Sequence, residues 1–440
     1  MDVIGYNRKE LEWMIKMIKK IFSSLLCIGL IIGNYLPLFA EDTEPTSEPT
    51  ATPVVDSLAL NAKTAVLIDA KTGMVLYQKN MNEQRYPASI TKILTNYIAL
   101  EKLDSSAVLS ASATAIDNID RTSSHIWLDY GEEAPMIDLV YASIMASAND
   151  ASNVLAEAVS GTQEEFAKLM NEVATSVGAK NSNFSNAHGL NDDGHVTTAY
   201  DMAMITRAAL RNEKFKEVFG QVRYDMAPTN KQTETRVFST GNEMLKNSKY
   251  SYEYVTGGKT GWTEDAGYTM VNSATKDNMD LIGVVMGCDS GDARYEDMTK
   301  LLNYGFNNYK TVTISNEIGD VHSEVKEGSK VIGEVDFTLA NSLNVLLPMS
   351  VDESLIVLET EVRKQDEGSN IEGYAVIKID GDVVGEVELE KHITLYDLSF
   401  KGSTLPKIVT VIDWISVGIL ALFIGLKVLI FIMKSTKLPE

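Results

Sequence analysis

The chain has 440 residues, 45% of them hydrophobic and 23% charged, with a formal net charge of −22. That length supports one large core plus a smaller domain, and strong acidity without a basic stripe excludes a nucleic-acid binder. Two cysteines and five scattered histidines, with no histidine pair at ligand spacing, predict no metal and no other cofactor.

Lys16, Lys19 and Lys20 precede an apolar run at 21–40 that ends in Leu38-Phe39-Ala40, the pattern of a secretory signal peptide over 1–40. Asp2, Glu10 and Glu12 are odd company for such a leader and make Met14 or Met17 a candidate start. Cys27 leaves with this segment, so Cys288 is expected alone and buried, with no internal disulfide. Residues 41–56 are rich in Pro, Thr and Glu, lack an apolar period and read as a flexible linker.

From 57 to 309 the pattern is mixed α/β. Strands are expected at 64–69 and 74–78, joined by a turn at Lys71-Thr72-Gly73. Pro87 holds Tyr86-Pro87-Ala88 extended, and a buried helix begins at Ser89, with Ile93, Leu94, Tyr97, Ile98 and Leu100 at helical spacing. Further helices are expected at 139–159 and 164–177, and another opens at Thr198 with Asp201 spaced as a capping box. Strand-like runs follow at 257–263, 267–274 and 279–287, then an amphipathic helix at 292–306. Strands first and last around a helical middle predict one antiparallel sheet with helices on both sides, an α+β arrangement.

Residues 310–402 read as a small all-β domain, with strands at 311–314, 331–339, 355–361, 371–379 and 383–389 and a hairpin turn at Asp380-Gly381-Asp382. The run 408–433 is apolar except for Asp413 and Lys427, is followed by Lys434 and Lys437, and is long enough to cross a bilayer with its C-terminus in the cytoplasm. An in-plane amphipathic helix is the alternative.

Three short strings stand out in this order: Ser89-Ile90-Thr91-Lys92, Ser147-Ala148-Asn149 and Lys259-Thr260-Gly261. Together they supply a hydroxyl nucleophile, a base, a proton relay and a carboxylate-reading strand, the parts needed to acylate a serine. Each has decoys, since a Ser-x-x-Lys match arises by chance about once or twice in a chain of this size. Ser273-Ala274-Thr275-Lys276 falls in a strand, where a spacing of three puts the pair on opposite faces. Ser323-Glu324-Val325-Lys326, Lys71-Thr72-Gly73 and Ser342-Leu343-Asn344 lack the context of the main strings. At Ser89, by contrast, Lys92 lies one helical turn on, on the same face, beside a positive helix end.

With these strings the chain closely resembles the low-molecular-mass penicillin-binding proteins, serine-type D-alanyl-D-alanine carboxypeptidases. Asn186-Ala187-His188-Gly189-Leu190 and 198–203 are similar to the family too, as are string spacings of about sixty and then about a hundred and ten residues. The resemblance implies a penicillin-binding/transpeptidase-like fold and removal of the terminal D-Ala from peptidoglycan pentapeptide stems, with β-lactams as inhibitors. It implies that Ser89 attacks the penultimate D-Ala carbonyl, that Lys92 takes its proton and that Ser147 relays one to the leaving amine. Asn149 would meet the substrate amide, and Lys259 and Thr260 the terminal carboxylate. Backbone N–H groups of Ser89 and Trp262, the latter following Gly261, would form the oxyanion hole, and Arg294 would assist with the carboxylate. An extracytoplasmic catalytic domain held at the cell membrane is implied as well.

Two departures bear on function. Trp262 stands where many relatives carry His, and no Glu-x-x-Leu-Asn loop lies between Asn149 and Lys259. The fold is therefore expected to be trapped by penicillin rather than to destroy it. The competing readings are a D,D-endopeptidase or β-lactamase on the same scaffold, and a non-catalytic wall-binding homologue. His188 and His195 lie in a Gly/Asn/Asp-rich loop, where a structural or rim role is expected.

Overall fold

The computed structural model describes residues 58–314, 321–327, 330–338, 343–364, 371–379 and 381–395, all within one compact unit. The expected signal peptide, linker and membrane segment, and Cys27, lie outside the described residues.

Five strands make the central sheet: β1 (Thr64–Asp69), β2 (Val75–Lys79), β3 (Val255–Thr263), β4 (Gly267–Lys276) and β5 (Met279–Cys288). They pair antiparallel in the order β2-β1-β5-β4-β3, so β3 is an edge strand. Strands from the two ends of the region meet at β1 and β5, with Thr64 opposite Met286 and Asp69 opposite Leu281. Every residue of β1 is buried, because both faces of the sheet are covered. Val66 and Ile68 join the core beneath the helices, while Ala65 and Leu67 join the opposite one.

Six of the longer helices build most of the first side: α1 (Lys92–Lys102), α2 (Met136–Met145), α3 (Asn149–Ser160), α4 (Gln163–Ser176), α5 (Ala199–Ala209) and α6 (Glu213–Gly220), with one short turn of helix over Ala113–Asp117. The second side is covered by α7 (Gly291–Asn308), whose Tyr295, Met298, Leu301, Leu302 and Phe306 pack with Leu67, Leu281 and Val285. Hydroxyl caps start α4, α5 and α7, where Thr162, Thr198 and Ser290 accept from the backbone N–H three residues on. At α5 the residue spaced three on from the Thr198 cap has a further task. The Asp201 carboxylate accepts from the Asn181 N–H at 2.8 Å and the Ser182 hydroxyl at 2.6 Å, tying in the preceding loop.

The run 139–159, expected as one helix, is two. The ladder breaks at Ala146-Ser147-Ala148, where Ser147 is left-handed at φ 57°. The Ala148 N–H reaches back to the Ala142 carbonyl, and the Asn149 N–H goes to the Ser124 carbonyl of another segment. A tertiary hydrogen bond outcompetes helix propagation there, which no periodicity reports.

Beyond Tyr309 the described chain is strands and one short 3-10 turn: β6 (Tyr309–Ile314), β7 (Val321–Glu327), β8 (Lys330–Thr338), β9 (Leu343–Pro348), β10 (Ile356–Lys364), β11 (Ile371–Ile379), β12 (Asp382–Glu388) and β13 (Glu390–Leu395). They form the sheets β6-β9, β7-β8-β13 and β10-β11-β12 around Val335, Phe337, Val345, Leu347, Ala375, Ile377 and Leu389. Strands β7, β9 and β13 were not expected from sequence. VHSEVKE, LNVLLP and EKHITL each lack a clean two-residue alternation, so pairing rather than pattern defines them. Gly381 takes the left-handed φ of 89° in the expected turn between β11 and β12.

Candidate active site

Pro87 and Ala88, expected extended, are not: Pro87 is helical at φ −76° and ψ −25°, Ala88 is left-handed at φ 52°, and a 3-10 turn over Ala88–Thr91 runs directly into α1. This turn lifts Ser89 to the head of the helix and sends the Lys92 side chain, fully buried, back beneath it. Lys92 Nζ lies 3.1 Å from Ser89 Oγ and 2.7 Å from both Asn149 Oδ1 and the His188 carbonyl oxygen. Burial first, and then the charge of Lys259, hold this amine well below the usual lysine range, with Asp150 pulling the other way. A neutral amine has two hydrogens and one lone pair. The two carbonyl oxygens can only accept, so they take both hydrogens, and the lone pair is left to the Ser89 hydroxyl.

The helix break brings in the second string. Ser147 sits in the left-handed corner, and Asn149 opens α3 with its side chain inward. Asn149 Nδ2 donates to Ser123 Oγ at 2.8 Å, so the amide bridges Lys92 and a long loop. Asp150, fully buried, anchors that loop by accepting from the N–H groups of Ile126 and Leu128 at 3.1–3.2 Å. Between those two residues Trp127 is held at φ 60° with its side chain 65% exposed and its ring 4.0 Å from that of His125.

Edge strand β3 supplies the third string. Lys259 is buried, with Nζ 3.0 Å from Ser147 Oγ and 2.7 Å from the Thr260 carbonyl. Burial, then the nearby Arg294 charge, bring its pKa down to about 7. Arg294 reaches from α7, donates to the Gly261 carbonyl at 3.3 Å and lies over the rings of Tyr268 and Tyr295. Gly261 needs to be glycine for space, since a Cβ there would stand 2.8 Å from the Ser89 backbone nitrogen and 2.5 Å from Thr269 Oγ1. Trp262 follows with its side chain 57% exposed, its ring 6.0 Å from Tyr268.

A sequence profile for D-alanyl-D-alanine carboxypeptidase, peptidase family S11, matches residues 49–290. The chain belongs to this family. It is 34% identical over 378 residues to the D-alanyl-D-alanine carboxypeptidase DacF of Bacillus subtilis, covering 84% of this chain and 92% of that protein. It is 33% identical over 383 residues to DacC of Escherichia coli, covering 83% and 90%. Among solved structures, penicillin binding protein 5 of Haemophilus influenzae superposes with a TM-score of 0.58 at 27% identity, over 79% of this chain and 98% of that one. A serine-to-alanine mutant of the Streptomyces K15 DD-transpeptidase superposes at 0.53 with 28% identity, over 56% and 98%. The penicillin-binding/transpeptidase-like α+β fold is thereby shown for this chain.

In this family member the three strings converge, and the decoys at Lys71-Thr72-Gly73 and Ser273–Lys276 do not join them. Lys71-Thr72-Gly73 turns the β1–β2 hairpin, and Ser273 and Lys276 lie in β4. His188 and His195 are more buried than a rim role implies; burial drops them to about 3 and about 4 respectively. Cys288 is buried at the end of β5, its thiol pushed up to about 12 chiefly by burial. Among the described residues no group of three or more His, Cys, Asp or Glu side chains could hold a metal. Sequence reasoning missed Ser123, Asp150 and the His188 carbonyl. Asp150 had one available signal, its position directly after Asn149 on a helix, whereas a backbone carbonyl carries none.

Proposed function

We propose that this serine-type D-alanyl-D-alanine carboxypeptidase works through Ser89 as nucleophile, on peptidoglycan stem peptides, from the outer face of the membrane. The observation that carries the residue assignment is the Lys92 amine, whose two carbonyl acceptors leave its lone pair to Ser89 Oγ. Lys92 takes the Ser89 proton as Oγ attacks the penultimate D-Ala carbonyl carbon. The carbonyl oxygen becomes the oxyanion and is met by the backbone N–H groups of Ser89 and Trp262. When the C–N bond breaks, the departing D-Ala nitrogen takes the Ser147 hydroxyl proton, and Lys259 replaces it across their 3.0 Å contact. Water then cleaves the acyl-Ser89 ester and releases the shortened stem.

Asn149 aligns the substrate amide, Lys259 and Thr260 receive the terminal carboxylate, and Arg294 supports that strand through the Gly261 carbonyl. A β-lactam carbonyl enters the same acylation step. Residues 57–309 form the catalytic domain and 310–402 an all-β spacer, with 1–40 as signal peptide and 408–433 as transmembrane anchor.

The test is labelling of the full-length chain with a fluorescent penicillin beside Ser89→Ala, followed by D-Ala release from a pentapeptide. A stable label on the parent alone, with D-Ala release, supports the reading. Label persisting in Ser89→Ala removes Ser89 from its role. Protease protection of a C-terminal tag in intact cells tests the anchor, and a tag digested from outside contradicts it.

A further inference from the structure

The residue before the nucleophile is under backbone strain. Ala88 stands at φ 52°, in the left-handed region that an alanine leaves unless its surroundings hold it there. Two contacts do so. The chain at Gly189 presses on the Ala88 carbonyl so closely that a Cβ at 189 would lie 1.9 Å from that oxygen. The Thr91 hydroxyl donates to the same oxygen at 2.9 Å.

Thr91 is in turn held by a buried imidazole whose tautomer is fixed. The Ser185 backbone N–H can only donate, and it points at His195 Nδ1 at 3.0 Å. In the neutral ring the hydrogen is therefore on Nε2. Nε2 lies 2.9 Å from Thr91 Oγ1. Thr91 spends its own hydrogen on Ala88, so its oxygen accepts from Nε2–H. Every bond in the series Ser185 N–H, His195, Thr91, Ala88 carbonyl runs in one direction. Burial keeps the ring neutral, its pKa held at about 4, and Phe184 packs against it edge-on with ring centroids 5.6 Å apart.

The end of this series matters because the Ala88–Ser89 peptide is a plane. Its carbonyl oxygen and the Ser89 N–H point in opposite directions across a trans peptide, so fixing one fixes the other. We infer that His195 and Thr91 are positioning residues of the oxyanion hole, aiming the Ser89 N–H through the Ala88 carbonyl. This rests on the assignment of Ser89 as nucleophile. Neither side chain touches substrate; both act on the geometry that meets the tetrahedral intermediate.

The experiment uses the full-length enzyme with Thr91→Val, His195→Leu, the double variant and His195→Gln, whose amide can both accept and donate. Each is read in three ways: the acylation rate constant with a penicillin per titrated active site, the dissociation constant of the noncovalent complex, and the affinity of a peptide boronic acid that forms a tetrahedral adduct. Counting titrated sites removes any misfolded fraction. Each single variant is expected to slow acylation by about 10- to 100-fold, a part of the loss seen when an oxyanion donor is deleted. Boronate affinity falls by the same factor, while the noncovalent constant moves by less than about twofold. The double variant falls no further than the weaker single, and His195→Gln recovers most of the rate. Single losses that multiply in the double variant overturn the inference. So does a slowed rate with unchanged boronate affinity, an equal loss in the noncovalent constant, or a His195→Leu variant as fast as the parent. Mass spectrometry locating the penicilloyl group on Ser89 of the parent tests the underlying assignment separately.

Discussion

Lys259 Nζ lies 3.0 Å from Ser147 Oγ, joining residues 112 positions apart. The contact couples the strand proposed to read the substrate carboxylate to the hydroxyl proposed to serve the leaving group. Its strength depends on pH. Burial and the Arg294 charge place Lys259 at about 7, so it is an ammonium below that value and an amine above it. For a substrate ending in a carboxylate, kcat/KM should fall as pH rises through 7, and a carboxamide-terminated analogue should show a shallower limb, since only proton delivery to Ser147 then needs the ammonium. Arg294→Met removes one of the two depressing causes and should move the limb to higher pH. An unmoved limb would detach Lys259 from carboxylate binding. The same shift means that the folded chain binds fewer protons than the unfolded one between about 7 and the ordinary 10.5, so this group makes stability rise with pH across that window.

Lys92 should fail as a base whenever its neutral form is lost. Lys92→Met removes the lone pair and is expected to slow penicillin acylation by about 10²- to 10⁴-fold. Lys92→Arg keeps a cation that does not deprotonate, so it should be no better. Stopped-flow acylation measures both. Arg restoring the parental rate would show that charge, not basicity, is what position 92 supplies.

Much of this site was legible in the chain because its parts are local. Ser89 and Lys92 are one turn apart, and a helix period places them together without knowledge of the rest. Lys259 and Gly261 were separated from the Lys71 decoy by strand context. What escaped were relationships set by tertiary hydrogen bonds. Nothing around 139–159 announces that the Asn149 N–H will choose the Ser124 carbonyl and split a helix. Nothing in an Asn/Gly-rich loop says that the His188 carbonyl will hold the Lys92 amine. His195 reads in the sequence only as a structural or rim residue for the same reason, since its partners Ser185 and Thr91 are recognised only in the fold. The all-β region was legible where strands alternate and illegible at β7, β9 and β13.

Asp150 should matter through the loop that it anchors. Its buried carboxylate accepts from Ile126 and Leu128, on either side of Trp127, whose left-handed backbone depends on being held. Asp150→Ala leaves those N–H groups without their acceptor, a cost of about 1–3 kcal/mol. Thermal unfolding should report a lower midpoint, and KM for a peptide substrate should rise more than kcat falls. A variant with the parental midpoint and KM would mean that the loop is held by other contacts.

Arg207 gives the Lys71 decoy a structural task. From α5 it donates to the carbonyls of Ala70 and Lys71 in the β1–β2 turn at 3.1 and 2.6 Å, and to the Glu386 carbonyl in β12 at 3.3 Å. The Glu386 N–H in turn donates to the Thr72 carbonyl at 3.2 Å. One guanidinium thus clamps the hairpin, a catalytic-side helix and a strand of the all-β region. Its fork can serve several carbonyls at once, which an ammonium on a flexible stem cannot match. Arg207→Ala should lower the unfolding midpoint through about 1–3 kcal/mol of lost charge-assisted hydrogen bonds. Arg207→Lys should recover only part of it. Because these contacts lie among backbone carbonyls away from Ser89, penicillin acylation per titrated site should stay at the parental rate. Proteolysis should then cut between α7 and β8 sooner than in the parent, as the all-β region loses a point of attachment. Parental protease resistance together with a parental midpoint would show that the remaining contacts, among them Leu346 with the α7 core and the Glu386 N–H with the Thr72 carbonyl, hold that region without Arg207.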